Sequence, residues 1–320
     1  MSRRAFCHNS LAFAMWPSFA SWMSSDRMIE SNRSSKVVVV RDRKALDSSH
    51  EPSFDSVLRM LHAGLCELCG TGSVRQAWER LFPSIERAAV KSNVSVRPVH
   101  AAFHQAIMES LSLYGIRQDQ MCVWDRNRGG IGIAQADSKD WDWAPGYGDD
   151  HLSRAVHWAD GLINAPMLKT HPVTGISGAV KNWAGAVTGI NRRDDQATFA
   201  IHANRCADIG RIHALPAIRS KSRLIVMDAL TPLFQTSEPN RSYESWPYGG
   251  LILGLDPVAV DRAGWEILNE YQSAIENRTW RKPPLPLHLI ESSRRYGLGN
   301  WEAGCIETRF VDSNKAVFGK

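Results

Sequence analysis

The sequence predicts an α/β fold: mixed or mostly parallel sheets with crossover helices, built as one large domain or two packed lobes. Three observations lead there. Short, wholly apolar runs such as Val37-Val38-Val39-Val40 and Leu251-Ile252-Leu253 have the length and composition of strands covered on both faces. Helical patterns alternate with them. A chain of 320 residues that is 43% hydrophobic also has enough apolar material for a large core.

In chain order, Val37 to Val40 is the first expected strand. Ser53 to Gly70 follows as an amphipathic helix, with Val57, Leu58, Leu61, Leu65 and Leu68 at helical spacing. Ala88 to Val96 reads as a strand with polar groups near its end. Val99 to Leu113 reads as a helix stopped by Gly115, and Met121 to Trp124 as a third strand. Residues 127–150, rich in Gly, Asp and Trp, read as a loop in which Trp141 and Trp143 add rigidity or form a lid. Leu152 to Trp158 reads as a helix and Gly161 to Ala165 as a strand running into Pro166. Leu224 to Asp228 reads as a strand ending on an acid, and residues 232–248, with three Pro, as a second loop. Leu251 to Gly254 is a strand, and Pro257 to Glu270 a helix with Asp256 as N-cap and Pro257 in its first turn.

The formal net charge is +5, and without residues 1–32 it is +4. The Lys and Arg are scattered, with no basic run, which argues against nucleic acid and for a small anionic ligand. Six Cys are too few for a disulfide framework in a chain of this size. Cys66 and Cys69 form a C-x-x-C inside the first helical pattern with no second pair at metal spacing. They read as buried or half-buried helix cysteines before they read as a redox or metal pair, and no iron–sulfur cluster is expected.

Residues 1–32 read as an export signal. Ser2-Arg3-Arg4-Ala5-Phe6 has the twin-arginine pattern, a moderately apolar stretch from Leu11 to Met23 follows, and a polar segment with Asp26, Arg27 and Glu30 comes after it. The expected partner is the twin-arginine export machinery, and the expected location is the periplasm or otherwise outside the cytoplasm. A disordered N-terminal arm is the competing reading. Pro17 interrupts the apolar stretch, so no stable membrane span is expected, and residues 33–320 form the α/β domain.

The chemistry concentrates between Asn164 and His202. Asn164-Ala165-Pro166-Met167-Leu168-Lys169-Thr170-His171 leads into a small-residue loop containing Gly175 and Gly178, then into Lys181-Asn182-Trp183. Lys169, His171 and Lys181 set two cations and an imidazole at the carboxyl end of a strand, where open α/β sheets bind ligands. Glycines there let a ligand approach the backbone. A partly buried Lys in cationic company has a depressed pKa and becomes a nucleophile or base. A solvated strand-to-helix connection with a surface His is the plainer alternative. His171 and Lys181 are the catalytic candidates. Lys91 and Asn93 at an earlier strand end, Lys169, Asn182 and Asp228 are candidates for holding a ligand. Asp261 is a further candidate for holding a ligand; five residues beyond Asp256, it faces either the N-terminus of its own helix or the cleft.

These segments resemble the family known as domain of unknown function 362. The resemblance rests on Asn164 to His171, on Gly178-Ala179-Val180-Lys181-Asn182-Trp183-Ala184-Gly185, and on Val90-Lys91-Ser92-Asn93. It also rests on the strand ending at Asp228, on Asp256-Pro257-Val258-Ala259-Val260-Asp261, and on Tyr296-Gly297-Leu298-Gly299. The same central segment is distantly similar to nickel-dependent lactate racemases. That resemblance implies a covalent anchor at Lys181 for a nickel-containing nucleotide cofactor, a His171 ten positions before it, and His202 as metal ligand. This chain has Gly178-Ala179-Val180 where the racemases carry Gly-Gly-Arg before the Lys. The function expected is an isomerase or related enzyme of the lactate-racemase-like type. A non-catalytic binding protein for an anionic small molecule, and an iron–sulfur or redox accessory protein, are the alternatives.

Overall fold

A computed structural model describes residues 34–84, 86–97, 99–126, 143–147, 150–187, 203–236, 243–274 and 282–313. All of them belong to the unit Ser34–Lys320. The export reading of residues 1–32, His202, Trp141 and most of the loop at 127–142 lie outside the described residues.

The strands are β1 (Ser35–Arg41), β2 (Ala88–Lys91), β3 (Met121–Trp124), β4 (Trp143–Tyr147), β5 (Asp150–Ser153), β6 (Gly161–Asn164), β7 (Met167–His171), β8 (Gly175–Ile176), β9 (Ser222–Gln235), β10 (Tyr243–Ser245), β11 (Gly250–Gly254) and β12 (Ile306–Asp312). The main sheet runs β12-β1-β11-β9-β6-β2-β3, and β4 with β5 forms a separate hairpin. Within that order only β11 runs against its neighbours. The predicted α/β fold with a mostly parallel sheet is therefore the fold observed.

Four valines in a row make sense in this sheet because β1 is covered on both faces. Val37 and Val39 enter one core, and Val38 and Val40 the other. One core is shared with α1 (Phe54–Cys69), α2 (Val74–Leu81) and α3 (Ala101–Tyr114). The other is shared with α4 (Arg154–Trp158), α5 (Ala179–Asn182), α6 (Gly210–His213), α7 (Pro216–Arg219), α8 (Pro257–Ala274) and α9 (Leu287–Tyr296). Gly70 and Gly115 end α1 and α3 in the left-handed conformation, closing each helix at the predicted residue. Cys66 is buried and Cys69 half-buried in the last turn of α1, and burial pushes both thiols up.

Several expected boundaries are corrected. The strand expected from Ala88 to Val96 ends at Lys91, because the following residues turn aside to place Asn93 and Ser95 in a polar network. The helix expected from Leu152 begins at Arg154, after β5, with the Ser153 side chain accepting from the N–H of Ala155. β4 lies inside the segment read as the first loop, and β9 and β10 extend into the second. Asp228 does not end its strand. β9 continues to Gln235, because β7 pairs with its second half after β6 has paired with its first. Ala165 and Pro166 make the step between those two partners, the N–H of Ala165 donating to the Lys91 carbonyl and that of Asp228 to the Pro166 carbonyl.

Candidate functional site

β2, β3 and β6 are parallel, so their carboxyl ends open on the same side of the sheet. Lys91 is the last residue of β2, Asn164 the last of β6, and Asp125 directly follows β3. These three positions, with β7 and α5, hold a buried polar network. The Lys91 ammonium donates to Asp125 Oδ1 at 2.6 Å, to the Ser92 carbonyl at 2.8 Å and to Asn182 Oδ1 at 3.4 Å. Asn182 Nδ2 donates to Asn164 Oδ1 at 2.8 Å and to the Lys91 carbonyl at 3.1 Å. Asn93 Nδ2 donates to Asn182 Oδ1 at 3.1 Å, and Asn93 Oδ1 accepts from Lys169 Nζ at 2.8 Å. Lys169 also donates to Ser95 Oγ at 2.7 Å. The predicted ligand-holding residues Lys91, Asn93, Lys169 and Asn182 thus form one connected group.

Asp125 was not singled out from the sequence. It accepts from Lys91, from the N–H of Val94 at 2.9 Å and from the N–H of Arg126 at 2.7 Å. The signal was present: an acid directly after an apolar strand occupies the same kind of strand end as Lys91.

Around Lys169 the positive charges outnumber the negative. Burial, followed by Lys181, pushes its pKa down to about 7, while Asp125 pulls the other way and Lys91 and Arg97 add to the depression. Lys91 is pushed down by burial and held up by Asp125. Lys181 is half-buried, and enclosure of its amine lowers its pKa. It has no hydrogen bond or ion pair among the described residues, and it lies beside Cys206 and the fully buried His288. Both ring nitrogens of His288 lack a hydrogen-bond partner there.

The depressed pKa of Lys169 has a sign that stability measurements can read. Below pH about 7 both folded and unfolded states carry the proton, and the cost of burying the charge is present in full. From about 7 up to the ordinary value of 10.5 only the unfolded state holds it, so stability rises with pH in that window. Urea titrations should show this rise in the wild-type protein relative to Lys169→Met. Parallel profiles for the two proteins would contradict it.

His171 does not join Lys181. Its Nδ1 accepts from the amides of Val173 and Thr174, each at 3.2 Å, closing the turn that follows β7. Nδ1 is thus the unprotonated nitrogen and Nε2 carries the proton, so the ring as placed can donate a hydrogen bond but offers Nε2 to no metal. Asp261 turns to a helix N-terminus, but to that of α5 and not of its own helix. The carboxylate of Asp261, on α8, accepts from the N–H groups of Ala179 and Val180, the latter at 2.9 Å, and so caps α5 from outside the helix. Burial raises its pKa to about 7 against the pull of those two donors. Asp256 caps α8 as predicted, its Oδ1 accepting from Val258 and Ala259 at 2.8 and 2.9 Å.

This cap explains Gly178, and the lysine network explains Gly185. A Cβ on Gly178 would sit 2.0 Å from Asp261 Oδ1, and one on Gly185 would sit 2.7 Å from both Asp125 Oδ1 and Lys91 Nζ. Gly178→Ala is expected to push the cap away from α5 and to cost about 1–3 kcal/mol in chemical denaturation. An unchanged midpoint would contradict the contact.

Asp228 is buried but stands apart from the lysine network by hydrogen bonding. Its Oδ1 accepts from the N–H of Leu230 at 2.9 Å, and its Oδ2 has no partner among the described residues. Burial raises its pKa, while His100 and Arg97 pull it down. Arg97 donates to the carbonyl and hydroxyl of Thr231, and His100 Nε2 lies 2.8 Å from that hydroxyl. Arg97 and His100, also missed in the sequence, extend a polar strip from Lys169 toward Asp228.

Residues 127–266 match the model of the family described as Domain of unknown function (DUF362). The match takes in Asn164 to Gly185, Asp228 and Asp256 to Asp261, and spans less than half of the chain. No curated protein matches the chain. No helix among the described residues is long and apolar enough to cross a membrane.

Proposed function

We propose that the chain binds a small anionic substrate at the carboxyl ends of β2, β6 and β7 and acts on it as an enzyme. Lys181 and the protonated form of Lys169 attract the anion, and Lys169, divided between ammonium and amine near neutrality, moves the proton. The observation that carries this reading is the charge imbalance: Lys91 and Lys169 share a buried network, Lys181 acts on Lys169 electrostatically from beside it, and the nearest carboxylate, Asp125, is already bonded to Lys91. An amine with a pKa of about 7 is divided between acid and base near neutrality, which suits general acid–base work. Asn93 and Ser95 fix where that amine points.

The resemblance of Asn164 to Gly185 to lactate racemases favours an isomerase or related reaction. Among the described residues no group of three or more His, Cys, Asp or Glu is placed to hold a metal, and His202, the expected ligand for a nickel-containing nucleotide cofactor, lies outside them. No step is assigned to such a group. A binding protein without chemistry is the second reading, favoured by the engagement of His171 Nδ1 in its own turn. Thermal-shift and calorimetric titrations with inorganic phosphate and small carboxylates test the site. Loss of any anion response in Lys169→Met and Lys181→Ala supports it, and an equal response in all three proteins refutes it.

Export is part of the same proposal, resting on Ser2-Arg3-Arg4-Ala5-Phe6. Replacing both Arg3 and Arg4 by Lys should leave the protein in the cytoplasm. Cell fractionation that finds the double variant exported, or the wild type retained, would overturn this part alone.

A further inference from the structure

We propose that the outer edge of β12 pairs with the same edge of a second copy of this chain, forming a two-fold dimer with one sheet running through both. β12 is the end strand of the main sheet and meets β1 along seven consecutive residue pairs, from Ser35 opposite Ile306 to Arg41 opposite Asp312, without a bulge. Its other edge pairs with no strand among the described residues. Part of the usual protection of an edge is missing here: Ile306 to Asp312 contains no Pro, no Lys and no irregularity, and its charges Glu307 and Arg309 neutralise each other as an ion pair. Phe310 is 71% exposed, a large apolar side chain in the middle of that edge.

The sequence of the strand selects the occupant. Two antiparallel copies centred on Thr308 place Glu307 opposite the second copy's Arg309, and Ile306 opposite its Phe310. Both pairings occur twice, because the interface is isologous. Glu307 and Arg309 already form an ion pair on one face of the strand. Pairing two copies therefore sets each acid between two guanidinium groups and each Arg between two acids. The exposed Phe310 meets an apolar partner on the opposite face. An unrelated strand would have to reproduce this pattern, whereas a second copy supplies it by symmetry.

Sedimentation of the full chain at micromolar concentration tests the inference. The wild type is expected to dimerise. Arg309→Glu and Glu307→Arg each oppose like charges twice and should weaken the dimer by at least about tenfold. Glu307 and Arg309 pair with each other at the strand surface, so circular dichroism should be unchanged, which separates lost pairing from lost folding. Mixing the two single variants restores opposite charges at every position and should restore the dimer as a heterodimer. The double variant Glu307→Arg with Arg309→Glu should dimerise by itself. A monomeric wild type overturns the inference, as does a dimer indifferent to both single reversals, or a mixture that stays monomeric. A wild type that is monomeric alone but takes up a strand from another protein places a different partner on the edge and equally overturns it.

Discussion

Asp125→Ala is expected to destabilise the protein by about 3–5 kcal/mol in urea denaturation. Lys91 is 1% exposed and its ammonium reaches Asp125 at 2.6 Å, so removing the carboxylate leaves a buried cation without its counter-charge. Two backbone amides, those of Val94 and Arg126, lose their acceptor as well. Lys91→Met combined with Asp125→Leu should recover a large part of the loss, because replacing both members of a buried pair by apolar residues removes the desolvation cost along with the attraction. If the single variant is as stable as the wild type, the pair is not the support of the strand ends that the geometry describes. If the double variant is no more stable than the single, the loss comes from the amides of Val94 and Arg126 left without an acceptor and not from the unpaired cation.

Lys181→Ala is expected to remove most anion affinity, on the order of 2–5 kcal/mol, while leaving the fold nearly as stable as before. The two halves of this expectation have different sources. Lys181 is half-buried and has no hydrogen bond or ion pair among the described residues, so the folded protein loses little when it goes. A bound anion would be its main partner. Lys181→Arg separates two roles. It keeps part of the affinity if charge alone matters, and none of the activity if the amine must form a bond, since guanidinium stays protonated. A stable Lys181→Ala protein with wild-type anion affinity would move the site away from this residue.

How much of this was legible in the sequence follows from what each signal depends on. Strands covered on both faces announce themselves as unbroken apolar runs, and β1, β3 and β11 were found for that reason. Helix ends at Gly70, Gly115 and Asp256 were found because a left-handed stop and an N-cap are local chemistry. The extent of β9 was not, because its second half exists to pair with β7, a partner far away in sequence. The lysine–asparagine network was half legible. Lys91, Asn93, Lys169 and Asn182 were chosen singly, as polar residues at strand ends, and the fold joins them through hydrogen bonds between residues as far apart as Lys91 and Asn182. Asp125 obeyed the same rule and was passed over because the segment after it reads as loop. Asp261 shows the opposite limit. Helix periodicity left its direction open, and only the packing of α8 against α5 turns its carboxylate onto the amides of Ala179 and Val180.

The central claim is that Lys169 and Lys181 recognise a small anion, and calorimetric titration of small carboxylates and inorganic phosphate on both sides of pH 7 tests it most directly. Protonated Lys169 attracts the anion, and the neutral amine does not. Affinity in the wild type should therefore fall as pH rises through about 7, the value to which burial and Lys181 bring that amine. Asp261 titrates near the same pH, so the comparison that isolates Lys169 is with Lys169→Met, in which the Lys169 contribution to that fall should vanish. A wild-type affinity that does not change across this range, or that changes equally in Lys169→Met, would contradict the account.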